Sequence, residues 1–244
     1  MKRLLAAGSG PIFQIARVFR DDERGRWHNP EFSLLEWYQL GCTHLQLLQE
    51  VDLFLQFFMQ APPLRVLTYQ QVFVEWCGFD PMVVDVAQIR HALAKWELDN
   101  VLPSTETDVD VYLHLLMSHV IEPGLALNAE PIAVINFPAS QASLACINEG
   151  VAQRFEVYYR GVELANGFHE LTDASLQAAR FEHDVITRDA LGLPAQAPDE
   201  YLLAALQHGL PPCSGVALGI DRLMAICLKQ SDIASTLAFD FSRA

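Results

Sequence analysis

The chain has 244 residues, with 16 Lys and Arg against 30 Asp and Glu, and a formal net charge of −14 at pH 7. Nucleic acids are bound by clustered basic charge, so this balance argues against a nucleic-acid partner. Five cysteines without a C-x-x-C pair, and no apolar run long enough to span or anchor in a membrane, predict a soluble cytoplasmic protein with reduced thiols.

The first half of the chain begins with two apolar runs, 11–19 and 31–40, which predict an antiparallel pair of strands across a highly charged loop. Helical periodicity follows in four stretches that prolines separate. These predicted helices cover residues 45–59, 69–77, 85–96 and 108–120.

Strand patterns return in the second half at 132–136 and at 154–168, where Arg160-Gly161 is predicted to be a two-residue hairpin turn. Helices are predicted at 174–191, capped by Thr172 or Asp173, and at 197–209, which ends at a glycine. Residues 214–228 are typical of a strand that runs directly into a helix. Strands paired near both ends of the chain, with helices between, predict an α+β fold with an antiparallel sheet flanked by helices.

The charged loop is the first stretch that could carry chemistry. Its three arginines suit phosphate, because the planar guanidinium offers two donors to two oxygens at once. A histidine adds a donor, and an aromatic ring at the start of the second strand could stack on a base. The residues concerned are Arg20, Arg24, Arg26, His28 and Phe32. A solvated hairpin loop with mutual salt bridges is the alternative.

The predicted hairpin is the second such stretch. If Tyr158 pairs with Glu163, then Glu156 lies on the same face of the ribbon, two residues before Tyr158. Two neighbouring carboxylates suit Mg²⁺, which prefers oxygen ligands and usually binds with phosphate. Glu170 is a third acid nearby. Alternatively, these glutamates simply face solvent.

The third stretch is the Gly-spaced strand. Gly215, Ala217 and Gly219 alternate on one face, which leaves a smooth floor that a ligand can approach closely. Arg222 follows at the start of the helix. Small residues in strands also permit helix packing, and Asp221 with Arg222 could be an ordinary cap pair.

Taken in this order, the three stretches resemble the catalytic core of class II aminoacyl-tRNA synthetases of the lysine-specific type. FRDDERGRWHNPEF resembles motif 2, GVALGIDR resembles motif 3, and VELANGFHEL is similar to the lysine-binding segment. The segments HNPEF, LEWY and ELANGFHELTDA are most similar to the paralogous ligases that attach (R)-β-lysine to translation elongation factor P. The resemblance covers nearly the whole chain and implies one catalytic domain over residues 1–244.

The resemblance implies ATP and Mg²⁺ as cofactors and a role for each matching residue. Arg20 and Arg222 are the implied catalytic residues, Glu156 and Glu163 the Mg²⁺ ligands. The residues implied to bind ATP are Arg20, Asp21, Asp22, His28, Asn29, Phe32, Glu163, Leu164, Gly219 and Arg222. The residues implied to line the pocket for lysine or β-lysine are Tyr38, Asn166, Glu170 and Ala217, with Glu170 facing the substrate ammonium.

Three features depart from the family pattern. Asp22 stands where motif 2 usually has glutamate, and Ala217 stands where motif 3 has glycine, which narrows the pocket by about a methyl group. Motif 1, which builds the dimer interface of the family, is not recognised upstream of the charged loop. A homodimer is therefore expected of the full-length family, and the sequence leaves it open for this chain.

The resemblance implies a two-step reaction, in which a carboxylate attacks the α-phosphate of ATP and an acceptor then takes the acyl group. The implied acceptor is a lysine of elongation factor P. One alternative is a lysyl-tRNA synthetase core; the net charge, Ala217 and the lack of a recognisable anticodon-binding barrel disfavour tRNA. A second alternative is an inactive, synthetase-like regulator, which the intact Arg20, Glu163 and Arg222 disfavour.

Overall fold

A single mixed sheet organises the chain in the computed structural model, which describes residues 1–21 and 23–243. The strands are β1 (Ile12–Phe19), β2 (Glu31–Leu40), β3 (Arg65–Thr68), β4 (Ile132–Pro138), β5 (Ile147–Asn148), β6 (Val151–Tyr159), β7 (Val162–His169) and β8 (Cys213–Gly219). The α-helices are α1 (Lys2–Ala6), α2 (His44–Met59), α3 (Tyr69–Cys77), α4 (Val86–Lys95), α5 (Val109–Leu116), α6 (Glu122–Leu125), α7 (Ala174–Ala190), α8 (Glu200–Gly209) and α9 (Ile220–Cys227). No helix of this described part is long and apolar enough to cross a membrane.

The strand order is β1-β2-β8-β7-β6-β4-β3, with β5 paired to β6. All pairings are antiparallel except β3 with β4, which is parallel. The predicted α+β fold with a largely antiparallel sheet is thus confirmed. The parallel pair at the edge was not predicted, because β3 has only four residues and too little alternation to stand out.

The predicted β6–β7 hairpin forms with Arg160 and Gly161 in the turn, both at positive φ (53° and 74°). This is the conformation that a two-residue turn between twisted strands requires. Tyr158 pairs with Glu163 as predicted, but the register then shifts by one residue, so that Glu156 pairs with Asn166. The extra residue on β7 is a bulge, which re-aims the side chains on either side of it.

The predicted helix 197–209 begins only at Glu200, and the predicted helix 108–120 departs further from the structure. It is α-helical only to Leu116, continues as a π-helical turn over Met117–Ile121, and resumes as α6. The Ser118 hydroxyl donates to the carbonyls of His114 and Leu115, at 3.0 and 3.2 Å. Side chains that bond to nearby carbonyls compete with the regular helix ladder, which accounts for the interruption.

The two faces of the central sheet have different surroundings, and this places the site. Apolar side chains of β6–β8, including Phe155, Val216 and Leu218, pack against Leu47 of α2 and Leu223 of α9. Each such side chain contributes about 1.5–3 kcal/mol when fully buried. Because strand side chains alternate, the residues between them face the opposite side of the sheet. That opposite face carries the polar residues described below.

Candidate active site

A cavity of about 250 Å³ lies on the polar face of β2, β8, β7 and β6. Its floor follows the pairing of the strands: Ala217 is in register with Glu36 on one side and Asn166 on the other, and Asn166 is in register with Glu156. The predicted site residues that line the cavity are Arg20, His28, Asn29, Phe32, Glu156, Glu163, Leu164, Asn166, Ala217, Gly219 and Arg222. The three sequence stretches therefore meet in one place.

Arg222, in the first turn of α9, connects the charged loop to the hairpin. Its Nε donates to the Trp27 carbonyl at 3.0 Å, and its NH1 contacts the carbonyl and a carboxylate oxygen of Glu163 at 2.8 and 3.3 Å. Its NH2 lies 2.8 Å from His28 Nε2. Arginine can only donate, so this nitrogen of His28 accepts and the imidazole is neutral. Burial and then the Arg222 charge lower the pKa of His28, consistent with that state.

Glu156 is a buried carboxylate with its own set of partners. It accepts from Arg154, from the Tyr158 hydroxyl, and from Asn166 Nδ2 at 3.1 Å. Arg154 was missed by the sequence analysis, although its position two residues before Glu156 places it on the same strand face. The Asn166 Oδ1 atom is buried without a partner among the described residues. A polar ligand in the cavity could supply the missing donor.

Glu163, the second residue predicted to bind Mg²⁺, faces the same cavity. Burial and the nearby Glu156 charge raise the pKa of Glu163, while Arg222 and Arg154 oppose that rise. Two carboxylates that repel each other in one cavity favour a bound cation. In residues 1–21 and 23–243 no group of three or more His, Cys, Asp or Glu side chains could hold a metal. Any Mg²⁺ here would therefore take its remaining ligands from phosphate and water.

The charged loop contributes an exposed arginine and a buried asparagine. Arg20 pairs with Glu23 at 3.2 Å, and its guanidinium carbon lies 5.3 Å from the centre of the Phe32 ring. Asn29 donates from Nδ2 to the Glu31 carbonyl at 2.6 Å and accepts at Oδ1 from the Phe241 backbone N–H at 2.9 Å. The side-chain amide of Asn29 therefore holds the backbone at Glu31 and Phe241 by hydrogen bonds.

Not every predicted ATP residue takes part in this cavity. Asp21 is exposed and lies outside the cavity lining, and the prediction for Asp22 concerns a residue outside those that the structure describes. Residues that sequence reasoning missed also contribute: Glu23, Trp27 and Ile233 line the cavity. Ile233 comes from the segment after α9, where no motif pointed to a role.

The predicted substrate residues are divided between two places. Asn166 and Ala217 line the cavity, whereas Tyr38 and Glu170 are buried beside Gly215. A Cβ at Gly215 would overlap the Tyr38 ring and come within 2.7 Å of Glu170 Oε1, so only glycine fits. Burial, then the Glu170 charge, raises the pKa of Tyr38 well above its usual range. The carboxylate of Glu170 forms an ion pair with Lys2, with 2.5 Å between Nζ and Oε2.

Residues 1–243 match the sequence model of the class II tRNA synthetases specific for D, K and N, and the chain belongs to this family. Among curated proteins it is similar to the elongation factor P–(R)-β-lysine ligases of Edwardsiella ictaluri and Salmonella typhi. It is 51% identical to each over 247 residues, which cover 100% of this chain and 75% of the relative. The resemblance drawn from the three motifs is thereby confirmed.

Proposed function

We propose that the protein uses ATP to activate (R)-β-lysine, or lysine, as an acyl-adenylate and then transfers the acyl group to a lysine of translation elongation factor P. The observation that carries this proposal is the convergence of Arg20, His28 and Arg222 on the cavity that also holds Glu156 and Glu163. Three cationic or donor groups facing two carboxylates suit a triphosphate with its metal. The names of the similar ligases support the choice of substrate and acceptor.

In the first step we assign ATP to the end of the cavity at Gly219, with adenine between Phe32 and Arg222 and the α-phosphate at Arg20. The substrate carboxylate attacks the α-phosphate, the bond to the β-phosphate breaks, and pyrophosphate leaves with its charge opposite His28. No side-chain base is required, because the carboxylate is already ionised at neutral pH. The chain contributes positioning and preorganised positive charge, which stabilise the transition state.

The donor set fits Mg²⁺. Glu156 and Glu163 share the cavity, each faces an arginine, and carboxylate oxygens are the ligands that Mg²⁺ prefers. When bound, the metal would neutralise phosphate charge. Glu156 is held in place by Arg154, Tyr158 and Asn166, which fix its carboxylate before any ligand arrives.

In the second step, the ε-amine of an elongation factor P lysine attacks the activated carbonyl, an amide forms, and AMP leaves. The competing acceptor is the ribose hydroxyl of tRNA. Two features favour the protein acceptor: the net charge of −14, and the methyl group of Ala217 on the cavity floor. The methyl group narrows the space beside Asn166. We place there the substrate amino group that is nearer to the substrate carboxylate.

Pyrophosphate exchange and intact-mass analysis test this proposal together. With ATP and Mg²⁺, (R)-β-lysine should support exchange, and elongation factor P should gain one lysyl mass. The absence of exchange with every amino acid tested would point to an inactive, ligand-binding protein. Exchange with lysine, together with charged tRNA and unmodified elongation factor P, would support the synthetase alternative instead.

A further inference from the structure

A buried ion pair lies just behind the cavity. Lys2 and Glu170 meet with their side chains 12% and 2% exposed. The helix that carries Lys2 is held in place by Leu5, which is buried in a cluster with Tyr38, Leu206 and Leu210. A cation is therefore brought to Glu170 by a packed helix.

The ion pair lies in line with the cavity floor. Gly219 and Ala217 line the cavity, and Gly215 is the next residue on that face of β8, about 7 Å further along the strand. Glu170 and Tyr38 flank Gly215. A substrate whose carboxylate lies near Arg20 and whose chain runs along this strand would direct its distal end at Glu170.

The charges around Glu170 require a cation. Burial raises the pKa of the Glu170 carboxyl, Lys2 lowers it, and the neighbouring Glu36 raises it further. A buried carboxylate without a counter-ion is strongly unfavourable. Lys2 supplies that counter-ion when no substrate is present.

We propose that Lys2 is a placeholder for the distal ammonium of the substrate, and that a lysine-type substrate binds by displacing the Lys2 ammonium from Glu170. The inference rests on the proposed function. The exchange replaces one ammonium by another, so the charge next to Glu170 does not change. A neutral side chain of the same length would have to leave Glu170 unpaired or lie beside the ion pair, and it is rejected for that reason.

The composition of the chain makes this displacement measurable. The chain has three lysines, Lys2, Lys95 and Lys229, and the last two are exposed. Brief acetylation with a small amount of acetic anhydride, followed by peptide mass spectrometry, gives the labelling of Lys2 relative to the other two lysines in the same sample. This ratio corrects for reagent that free lysine consumes. The ligands are L-lysine, (R)-β-lysine and, as the uncharged control, L-norleucine. Calorimetry measures binding of each in parallel.

We expect the Lys2 ratio to be low in the free protein and to rise at least fivefold with saturating L-lysine or (R)-β-lysine, but not with norleucine. Glu170→Gln should show the high ratio without ligand and so calibrate full release. Calorimetric binding of lysine with an unchanged Lys2 ratio would overturn the placeholder while leaving the proposed function intact. A rise with norleucine equal to that with lysine would also overturn it. No binding of either lysine would overturn both proposals.

Discussion

The two arginines assigned to catalysis differ in how much structure depends on them. Arg222 contacts Trp27, His28 and Glu163, so its loss would disturb the fold as well as the chemistry. The Arg20 side chain is 56% exposed, and its contacts with Glu23 and Phe32 are to partly exposed side chains. Exposed pairs of this kind contribute about 0–1 kcal/mol to stability. Arg20 is therefore the cleaner test of the phosphate assignment.

We expect Arg20→Ala to lower the rate of pyrophosphate exchange by about 10²–10³-fold, the scale found when a preorganised donor to a transition state is lost. Its melting temperature should remain within about 2 °C of wild type. Arg17→Ala is the matched control, because Arg17, three residues earlier on β1, is similarly exposed and pairs with Glu31 at 3.7 Å. Equal exchange rates in the two variants would contradict the role of Arg20.

Glu170 and Lys2 give a second prediction at the same scale. Glu170→Gln should lower the free energy of unfolding by up to about 3 kcal/mol, because the Lys2 ammonium loses its buried partner and has to move into solvent. Lys2→Met combined with Glu170→Gln should recover most of that loss. The double variant should still fail to activate lysine, since stability returns but the carboxylate does not. Urea unfolding and pyrophosphate exchange on both variants measure this, and exchange restored along with stability would show that Glu170 acts only in folding.

Which of these contacts could be predicted depends on their distance along the chain. That Glu156 and Glu163 share one face of the ribbon could be predicted, because a tight hairpin fixes which residues share a face. The bulge that pairs Glu156 with Asn166 left no sequence signal. The ion pair between Lys2 and Glu170 joins residues from opposite ends of the chain, and no local pattern specifies such a contact.

At the scale of elements, the segment that follows α9 holds the charged loop in position. Ile233 N–H donates to the Arg26 carbonyl at 3.1 Å, and the Arg26 side chain donates to the Ser231 carbonyl. The guanidinium carbon of Arg24 lies 3.7 Å from the centre of the Phe241 ring, next to the bond between Phe241 N–H and Asn29. We recognise no motif in this segment, so the positioning role assigned to it rests on these contacts.

We expect Phe241→Ala to raise the KM for ATP about two- to fivefold, because a cation–π contact at an exposed site contributes about 0.5–1 kcal/mol. The value of kcat should change little, and hydrogen exchange of residues 23–29 should become faster. Tryptophan at this position should restore both the KM for ATP and the hydrogen-exchange rate of residues 23–29. Phe239, which is 76% exposed, provides the control Phe239→Ala. If the two alanine variants have the same KM, the segment does not position the loop.

The π-helical turn gives the next prediction, since it leads directly to Glu122. Burial, then repulsion from Glu163 and Glu156, raises the pKa of Glu122 to about 7. The folded state thus binds a proton between about pH 4.5 and 7 that the unfolded state has lost, so stability falls as pH rises through this window. The full loss of unfolding free energy across this window is at most about 3 kcal/mol. We expect about half of that loss, because Glu122 is partly exposed.

Glu122→Gln cannot ionise, so it does not lose stability as pH rises. Its gain in unfolding free energy over wild type should therefore be near zero at pH 4.5 and largest at pH 8. Urea unfolding in EDTA measures it without bound cation. Glu75→Gln, at an exposed position on α3, controls for the loss of one negative charge. A gain that is equal at pH 4.5 and pH 8 would mean that the fold does not raise the pKa of Glu122.

The success of element prediction followed the strength of local signals. Helices α2, α3 and α4 begin with capping boxes at Thr43, Thr68 and Asp85, and their predicted extents are confirmed to within a residue or two. Helix α1 and strand β3, with five and four residues, were missed because tertiary packing and not local pattern stabilises them. The same packing brings Lys2 to Glu170.

At the scale of the whole molecule, the charged loop presents fewer free arginines than its sequence alone indicates. Arg24 and Arg26 are both exposed, but each is also engaged with the segment after α9. On β1, Phe13, Ile15 and Phe19 are between 62% and 74% exposed. An edge strand with apolar side chains of this kind is typical of a surface that another chain covers. A homodimer stays a prediction.

The charged loop offers two exposed arginines at its tip, Arg24 and Arg26, in a chain of net charge −14, and this leads to the last prediction, which concerns the acceptor. A tRNA acceptor would make many phosphate contacts, and its binding would weaken steeply with salt. A small acidic protein guided by one or two arginines would show a shallow dependence, mainly in the association rate. We therefore expect lysyl transfer to elongation factor P, measured by intact mass at saturating ATP, to slow less than about tenfold between 50 and 200 mM salt.

Arg24→Gln should slow that transfer while pyrophosphate exchange at saturating ATP stays the same. Phe241→Ala removes the stacking partner of Arg24 but keeps its charge, so normal transfer in that variant would assign the effect to charge. Transfer that is lost equally in both variants would contradict steering by Arg24, and a thousandfold fall of transfer with salt would contradict guidance by only one or two arginines.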